Sequence, residues 1–534
     1  RETETEIAPF CPPSLAACLY MASASGRLSR WLRSWQGSLR APPRAPLAAR
    51  GARLWGADAG RGCCSEPLGS HHGAAPLRPP GAEAVGEGAA EGRESSLQEP
   101  YLPGRQRVHV RTFGCQHNQS DGEYMMGQLR EYGYKLVDSL DECDACVVNS
   151  CTVKTPSESR GLSVVSKARE AGKAVVLAGC VPSADRKLAA RYDGVSMLHA
   201  TQLDRIVEVV EESLKGNTVT LLKKRQGLPS LALPKIRRDR LSEILTINAG
   251  CLGRCTYCKT KLARGTVVSY PVEEIVARAR HAASEGACYV ELASEDMGAY
   301  GADIGTNIAE LLLRLSDALP PGVMLRTGMT NPPHILQHID GVLEALKRPN
   351  IFAFMHIPVQ SGSDAVLRAM KRDYTVAEFS ALVDALRGAA PDIFLLTDII
   401  CGFPTETDQD WADTMQLLRK YGFQGIYGSK FFSRPGTAAS LMKQLPASVV
   451  KERYRELAEF ATPNSRNEGL EGTEVEAWFM GTEEDRGQTV GRTRAFTKVL
   501  VPRDDALLGR SATVAVKRAS VQHVEGDVVV GEGR

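Results

Sequence analysis

From Arg107 onward, short apolar runs alternate with longer polar stretches that carry apolar residues at helical spacing. "RVHVRTFGC" reads as a strand ending at Cys115, "ACVVNSC" as one ending at Cys151 and "AVVLAGC" as one ending at Cys180. Helices are predicted at 121–132, 157–171 and 185–192. A second block repeats the alternation, with strands at 241–247, 288–293, 323–328, 351–357, 393–400 and 425–432. Each of the first five leads into a helix-like run such as "PVEEIVARARHAASEG". The pattern predicts an α/β protein with parallel sheets, whose ligands gather outside the strand carboxyl ends. Six strand–helix units suggest a partial (β/α)6 barrel with its active face on that rim. From 486 to 518 the runs shorten to alternating strands suited to a small β-barrel.

The 534 residues, 43% hydrophobic and 24% charged, suffice for two or three cores and exclude a fibrous or wholly disordered chain. No run approaches the roughly 18 to 20 apolar residues of a membrane span, and "VEGDVVVGEGR" at the end carries no hydrophobic tail. A spanning anchor is therefore not expected. The first hundred residues differ in kind. Residues 21–57 hold seven arginines, five serines and no acid, the composition of a mitochondrial or plastid transit peptide and equally of an Ala/Arg/Pro/Gly-rich leader without an address. The chain opens on Arg1 and its first methionine is Met21, so residues 1–20 are read as preceding the start. Residues 58–104 have too few large apolar side chains to offset ordering entropy, so 1–104 is expected to be a disordered leader in which Cys63 and Cys64 are incidental.

Fourteen cysteines in so long a chain do not make a small disulfide scaffold. Cys115, Cys151 and Cys180 fall at strand carboxyl ends, where a parallel sheet would bring them together. Buried apolar thiols would sit inside strands, as Cys146 does, so Cys143 with Cys146 is read as a decoy Cys-x2-Cys. "NAGCLGRCTYCKT" sets Cys251, Cys255 and Cys258 at Cys-x3-Cys-x2-Cys directly after the first barrel strand. Structural zinc takes four ligands, commonly two Cys-x2-Cys pairs, and no histidine lies in this loop. A cubane [4Fe-4S] cluster held by three thiolates keeps one iron free to bind something else. A zinc or inert thiol loop is the alternative.

The spacing resembles that of the radical S-adenosylmethionine (SAM) enzymes, in which the free iron chelates SAM and an electron from the cluster cleaves the sulfonium to a 5′-deoxyadenosyl radical. That resemblance implies Cys251, Cys255 and Cys258 as cluster ligands and Tyr257 as a residue packing near the adenine. With the first triplet added, the chain resembles the methylthiotransferases over about 107–530, through "TFGCQHNQSD", "VVNSCTVK", "LAGCVP", "HIPVQSGSD", "MKRDY" and "DIICGFPTETD". The family joins a flavodoxin-like amino-terminal domain, radical SAM barrel and small carboxy-terminal TRAM β-barrel. It implies Cys115, Cys151 and Cys180 as ligands of an auxiliary [4Fe-4S] cluster, so that SAM and two clusters are the cofactors. The expected boundaries are 105–220 for the first domain, 221–240 for a basic linker, 241–465 for the barrel and 470–530 for TRAM.

"GCLGRCTYCKTKLARG", "LASEDMGAYGADIGTN" and "RTGMTNPPHIL" resemble the eukaryotic and archaeal branch that adds a methylthio group to C2 of N6-threonylcarbamoyladenosine beside the tRNA anticodon. Alternatives are isopentenyladenosine in tRNA or a ribosomal-protein aspartate as substrate, and, from another class, a non-catalytic metal-containing RNA-binding module. Met297, where the branch has Thr, and Thr405 in "GFPTET" depart from it and bear on fine substrate choice. Glu295, at the end of the second barrel strand, is a candidate acceptor for the SAM amino group or an ordinary solvated rim acid. The expected partners are tRNA and an unidentified electron donor, and the chain is expected to be a monomer.

Two basic runs fit an RNA partner: 221–240 has seven basic residues against one acid, and 486–518 has eight against two, at the position of the tRNA-gripping TRAM domain. Arg264, Arg326, Lys259 and Lys261 lie near the expected rim as candidates for the threonyl carboxylate or for tRNA phosphates. The expected location is cytoplasmic, or mitochondrial or plastid if the leader from Met21 is a transit peptide. A hydrophobic tail like that of animal members is not expected, so their location does not carry over.

Overall fold

A computed structural model describes residues 102–461 and 467–529. The expected leader, with its transit-peptide reading and Cys63 and Cys64, lies outside the described residues. The first sheet has six parallel strands: β1 (Arg107–Thr112), β2 (Lys135–Leu136), β3 (Ala145–Ser150), β4 (Ala174–Gly179), β5 (Ser196–His199) and β6 (Thr220–Leu221). Their order is β2-β1-β3-β4-β5-β6. β3 is buried along its whole length and β4 almost so, which is why both read as unbroken apolar runs rather than alternating ones. The runs disclose only β1, β3 and β4. The other three strands have two to four residues each, too few to show a period.

Cys143 and Cys146 are fully buried in the core beneath this sheet, with Val148, Val165, Leu177 and Met197, as the decoy reading requires. The helix after β1 is longer than its apolar spacing predicts, running over Gln116–Tyr132. Its first turns are polar yet buried, and their partners come from the next domain.

The second block supplies β7 (Ser242–Thr246), β8 (Asn248–Ala249), β9 (Val268–Ser269), β10 (Tyr289–Ala293), β11 (Met324–Arg326), β12 (Phe354–His356), β13 (Phe394–Cys401) and β14 (Gly425–Lys430). β7, β10 and β11 form one parallel sheet and β12, β13 and β14 another. Bridges Leu325–Ile351 and Met329–His356 join the two, so six parallel strands follow one another in chain order. β8 and β9 pair antiparallel and bracket the loop of Cys251, Cys255 and Cys258. Helices cover the strands, and two begin with reciprocal capping boxes, Thr375 with Glu378 and Thr407 with Asp410.

At the carboxy-terminal end, β15 (Glu474–Glu483), β16 (Gln488–Arg492), β17 (Lys498–Pro502), β18 (Ser511–Ala519) and β19 (His523–Val528) close into a five-stranded barrel. Phe479, Val499, Val514 and Val524 fill its core. The turn between β16 and β17 reaches into the larger domain. Phe496 lies 5.3 Å from Phe352, 4.8 Å from Phe354 and 6.1 Å from Phe394, ring centroid to centroid.

The 221–240 run is not a uniformly solvated face. The Lys235 side chain is fully buried, 2.8 Å from Glu243 and 3.3 Å from Glu123, and Arg237 pairs with Glu285 at 3.1 Å. Among the described residues no helix is long and apolar enough to cross a membrane.

Candidate active site

The loop of Cys251, Cys255 and Cys258 leaves β8 through Gly250, at φ 86°. A side chain there would strike the Thr266 carbonyl, 2.3 Å from an added Cβ, so only glycine passes. Backbone N–H groups point at sulfur: Gly253 donates to Cys251 Sγ at 3.2 Å and Thr260 to Cys258 Sγ at 3.3 Å. Arg372 of "MKRDY" donates from Nη1 to Cys255 Sγ at 3.3 Å and is held by the Asn331 side-chain oxygen at 2.6 Å. Thr256 donates from its backbone N–H to Met370 O and from its hydroxyl to Ala369 O, which seats the loop on that same segment. "MKRDY" carried family resemblance in the sequence, but the contact of its arginine with a cysteine was not legible there.

Cys115, Cys151 and Cys180 follow the carboxyl ends of β1, β3 and β4. Cys151 approaches the first loop so closely that a Cβ on Gly114, at φ 110°, would stand 2.5 Å from its sulfur. The Val153 N–H donates to Cys151 Sγ at 3.3 Å, and Arg264 Nε donates to Cys180 Sγ at 3.3 Å. Cys115 is exposed, whereas Cys151 and Cys180 are buried.

Arg264 connects the two cysteine sets. It ends the short helix Thr260–Arg264 directly after Cys258, and its side chain is 2% exposed. Nη2 donates to Asn118 Oδ1 at 2.9 Å and to Asp121 Oδ2 at 2.5 Å, and Nη1 donates to His117 Nε2 at 3.0 Å. An arginine can only donate, so the His117 proton sits on Nδ1, 2.8 Å from Glu295 Oε1. Burial alone would raise the Glu295 carboxyl, but His117, Arg264 and the Gly250 N–H hold it below the usual carboxylate range. Glu295 is therefore neither a solvated rim acid nor turned to open space: it ties β10 to the helix Gln116–Tyr132 and to the cysteine loop, with Gly250 N–H on Oε2 at 2.8 Å.

Between the two loops opens a cavity of about 150 Å³, lined on one side by Val153 and Lys154, just past Cys151, and on another by Tyr257 and Cys258. Tyr257 packs edge-on against Phe403 with centroids 6.4 Å apart. The sequence-predicted cations are not free. Besides Arg264, Arg326 pairs with Glu291 at 2.7 Å beneath the Phe354 ring, and Lys259 lies 3.8 Å from Glu158. Lys261 donates to Leu252 O at 3.2 Å.

The donor set fits iron–sulfur clusters. Each set offers three thiols with N–H groups or guanidinium donors aimed at sulfur, the arrangement that stabilises and tunes a thiolate-held cluster. Burial pushes the Cys251 thiol up to about 12 and the Cys180 thiol up to about 11. A cation that replaces the proton is needed to make those sulfurs anionic near neutral pH. Among the described residues no three His, Cys, Asp or Glu side chains converge tightly enough to hold a single metal ion.

Known proteins resemble this chain in sequence over most of the described residues. Residues 107–199 match uncharacterized protein family UPF0004, and residues 245–418 match the radical SAM superfamily. The human threonylcarbamoyladenosine tRNA methylthiotransferase is 44% identical over 82% of this chain and 77% of its own length. The Drosophila melanogaster protein of the same name is 44% identical over 82% of this chain and 80% of its own. A solved radical SAM methyltransferase, TsrM from Kitasatospora setae, aligns over 63% of this chain and 74% of its own at 14% identity and a TM-score of 0.46. With relatives this similar over most of their length, the chain belongs to the threonylcarbamoyladenosine tRNA methylthiotransferase family.

Proposed function

We propose that this chain adds a methylthio group to C2 of N6-threonylcarbamoyladenosine beside the anticodon of tRNA. The observation that carries the reading is the cavity lined both by Val153 and Lys154, just past Cys151, and by Tyr257 and Cys258, because it is one space bordered by segments of both cysteine sets. Cys251, Cys255 and Cys258 would hold one [4Fe-4S] cluster with SAM, and Cys115, Cys151 and Cys180 a second. When bound, these groups supply reductive SAM cleavage and the sulfur to be transferred. An adenine C2–H bond has no acid–base route near neutral pH, so placement and exclusion of water are the protein's share.

The chain's own residues do that work. Arg372 and Arg264 each present a guanidinium to one sulfur of a triplet, lowering the cost of negative charge there. Glu295, His117 and Arg264 lock the barrel rim to the first domain, which keeps the two triplets at a fixed separation. Tyr257 and the aromatic cavity wall offer flat apolar surface to a base or to the adenine of SAM.

The strand order 2-1-3-4-5 supports a flavodoxin-like first domain over 105–220. The six successive parallel strands support a partial radical SAM barrel over 241–465, beyond the linker 221–240. The closed five-stranded barrel supports a TRAM domain over 470–530. Nucleoside mass spectrometry of tRNA from cells with and without the protein tests the reading. Loss of the 2-methylthio form of threonylcarbamoyladenosine is expected. Loss of the isopentenyl counterpart instead, or of neither, would falsify it.

A further inference from the structure

With Arg264, Arg326, Lys259 and Lys261 committed elsewhere, the cations that line the cavity are Lys154, Lys430 and Arg434. They arrive from separate places: Lys154 ahead of the helix Thr155–Glu170, Lys430 as the last residue of β14, and Arg434 from the loop beyond it. Among the described residues none of the three has a carboxylate partner within ion-pair distance. Arg434 gives one N–H to the Thr152 carbonyl at 2.6 Å, and Lys430 Nζ stands 4.9 Å from the Tyr454 ring centre. The one acid lining the cavity, Asp398, is already beside His356 at 3.2 Å. The remaining wall is largely apolar and aromatic, with Tyr427, Phe431 and Phe432 facing the same space as Tyr257. Flat apolar walls with unbalanced positive charge suit a planar base that carries an anion.

We propose that Lys154, Lys430 and Arg434 form the subsite that binds the carboxylate of the threonylcarbamoyl group, and so select an adenosine with an acidic substituent over one with an apolar substituent. The inference rests on the function proposed above. A carboxylate in the cavity would meet Lys430 and Arg434, both half-buried, with the exposed Lys154 at its edge. A neutral isopentenyl group leaves them unpaired, and unmet polar groups in a site discriminate more strongly than a missing methylene does. The same donors could take two other anions, the methionyl carboxylate of SAM or a tRNA phosphate, and the test separates all three.

The full chain, reconstituted with iron and sulfide, is titrated with anticodon stem-loop RNAs identical except at the base 3′ to the anticodon. That base is threonylcarbamoyladenosine, its threonyl methyl ester, or adenosine. The unaltered protein is expected to prefer the free acid over the ester by roughly tenfold to a hundredfold, the worth of a hydrogen bond to a charged group. Lys154→Met combined with Lys430→Met should cut that preference severalfold, leaving the share held by Arg434. Arg434→Lys, which keeps the charge and loses the bond to Thr152, should reduce it part of the way. Because Lys154 is exposed, its single substitution reads the effect even if the double variant folds poorly. An unchanged preference overturns the proposal. Equal weakening for all three RNAs assigns the cations to phosphates and overturns it as well, as does weakened SAM binding, which assigns them to the methionyl carboxylate. If the unaltered protein itself fails to methylthiolate threonylcarbamoyladenosine RNA and modifies isopentenyladenosine RNA instead, the function has failed and not the subsite alone.

Discussion

Replacing Arg264 by Met nearly keeps the length of the side chain and removes its charge and all its donors. Four hydrogen bonds go at once, to Cys180, His117, Asn118 and Asp121. Two carboxylates stay behind, Asp121 at 8% and Glu295 at 10% side-chain exposure. Removing one partner of a buried ion pair costs about 3–5 kcal/mol, because the other charge is left uncompensated. The cost falls on the contact between the helix Gln116–Tyr132 and the barrel rim. Local opening there should become roughly a hundredfold to several thousandfold more frequent. Hydrogen exchange read by mass spectrometry on peptides covering 116–132 and 260–265 measures it directly in metal-free protein. Adding Asp121→Asn to the variant removes one of the stranded charges and should recover part of the loss. Arg264→Lys should fall between, since an ammonium has three donors and no planar fork. Exchange in Arg264→Met within about threefold of the parent would refute the reasoning, since a pair of this burial cannot be lost so cheaply.

Anaerobically reconstituted protein should carry about eight irons, and Ala at Cys251, Cys255 and Cys258 should leave about half of them; zinc in place of iron, or undiminished iron, contradicts the two-cluster reading. Gly114→Ala should cut iron loading at the Cys115, Cys151 and Cys180 set, because the new methyl would meet Cys151 Sγ at 2.5 Å on a backbone already at φ 110°; full iron in that variant would show that the close approach is dispensable. Burial would raise the Glu243 carboxyl, yet Lys235 and Arg278 outweigh it and hold it below its ordinary 4.5. A depressed folded value means the stabilisation is complete above 4.5 and is lost as pH falls through the folded value. Glu243→Gln should therefore lower the urea midpoint near neutral pH, and its deficit should shrink as the solution is acidified below 4.5; a deficit that stays constant on acidification would argue against the charge as its origin.

β3 and β4, whose carboxyl ends carry Cys151 and Cys180, were legible because parallel strands buried on both faces are written as plain apolar runs, whereas β1, before Cys115, was legible from the valines of the partly exposed "RVHVRT". What could not be read was which polar residues are buried. His117, Asn118 and Ser120 precede the predicted helix and Asp121 opens it, all polar in "CQHNQSD", yet all four are buried. The partner that stabilises Asp121 is 143 residues away in the chain, and hydropathy carries no signal at that distance. The same blindness made Arg264 and Arg326 look like free rim cations and Lys235 part of a basic run open to RNA. Charge is visible in a sequence and its pairing is not. Lys154, Lys430 and Arg434 went unremarked because nothing local separates an unpaired cation from a paired one.

The aromatic contact of Phe496 has a consequence for what counts as one object in this chain. Tyr289, Met324, Phe354 and Phe394 are the first residues of β10, β11, β12 and β13, so the cluster that receives Phe496 lies at the floor of the large barrel, opposite the rim with the cysteine loop. The backbone completes the seam, with Ala353 N–H donating to Arg494 O and Arg494 Nη2 to Leu346 O. The turn Thr493–Thr497 thus delivers a half-buried Phe496 from one domain onto the hydrophobic cluster of another. A fragment ending before Glu474 would leave that floor open to water, and the apolar surface so exposed would favour self-association. The small barrel and the large one should accordingly melt in one cooperative step, and substitutions in a turn that resembles a surface loop should be tolerated as poorly as substitutions inside a strand.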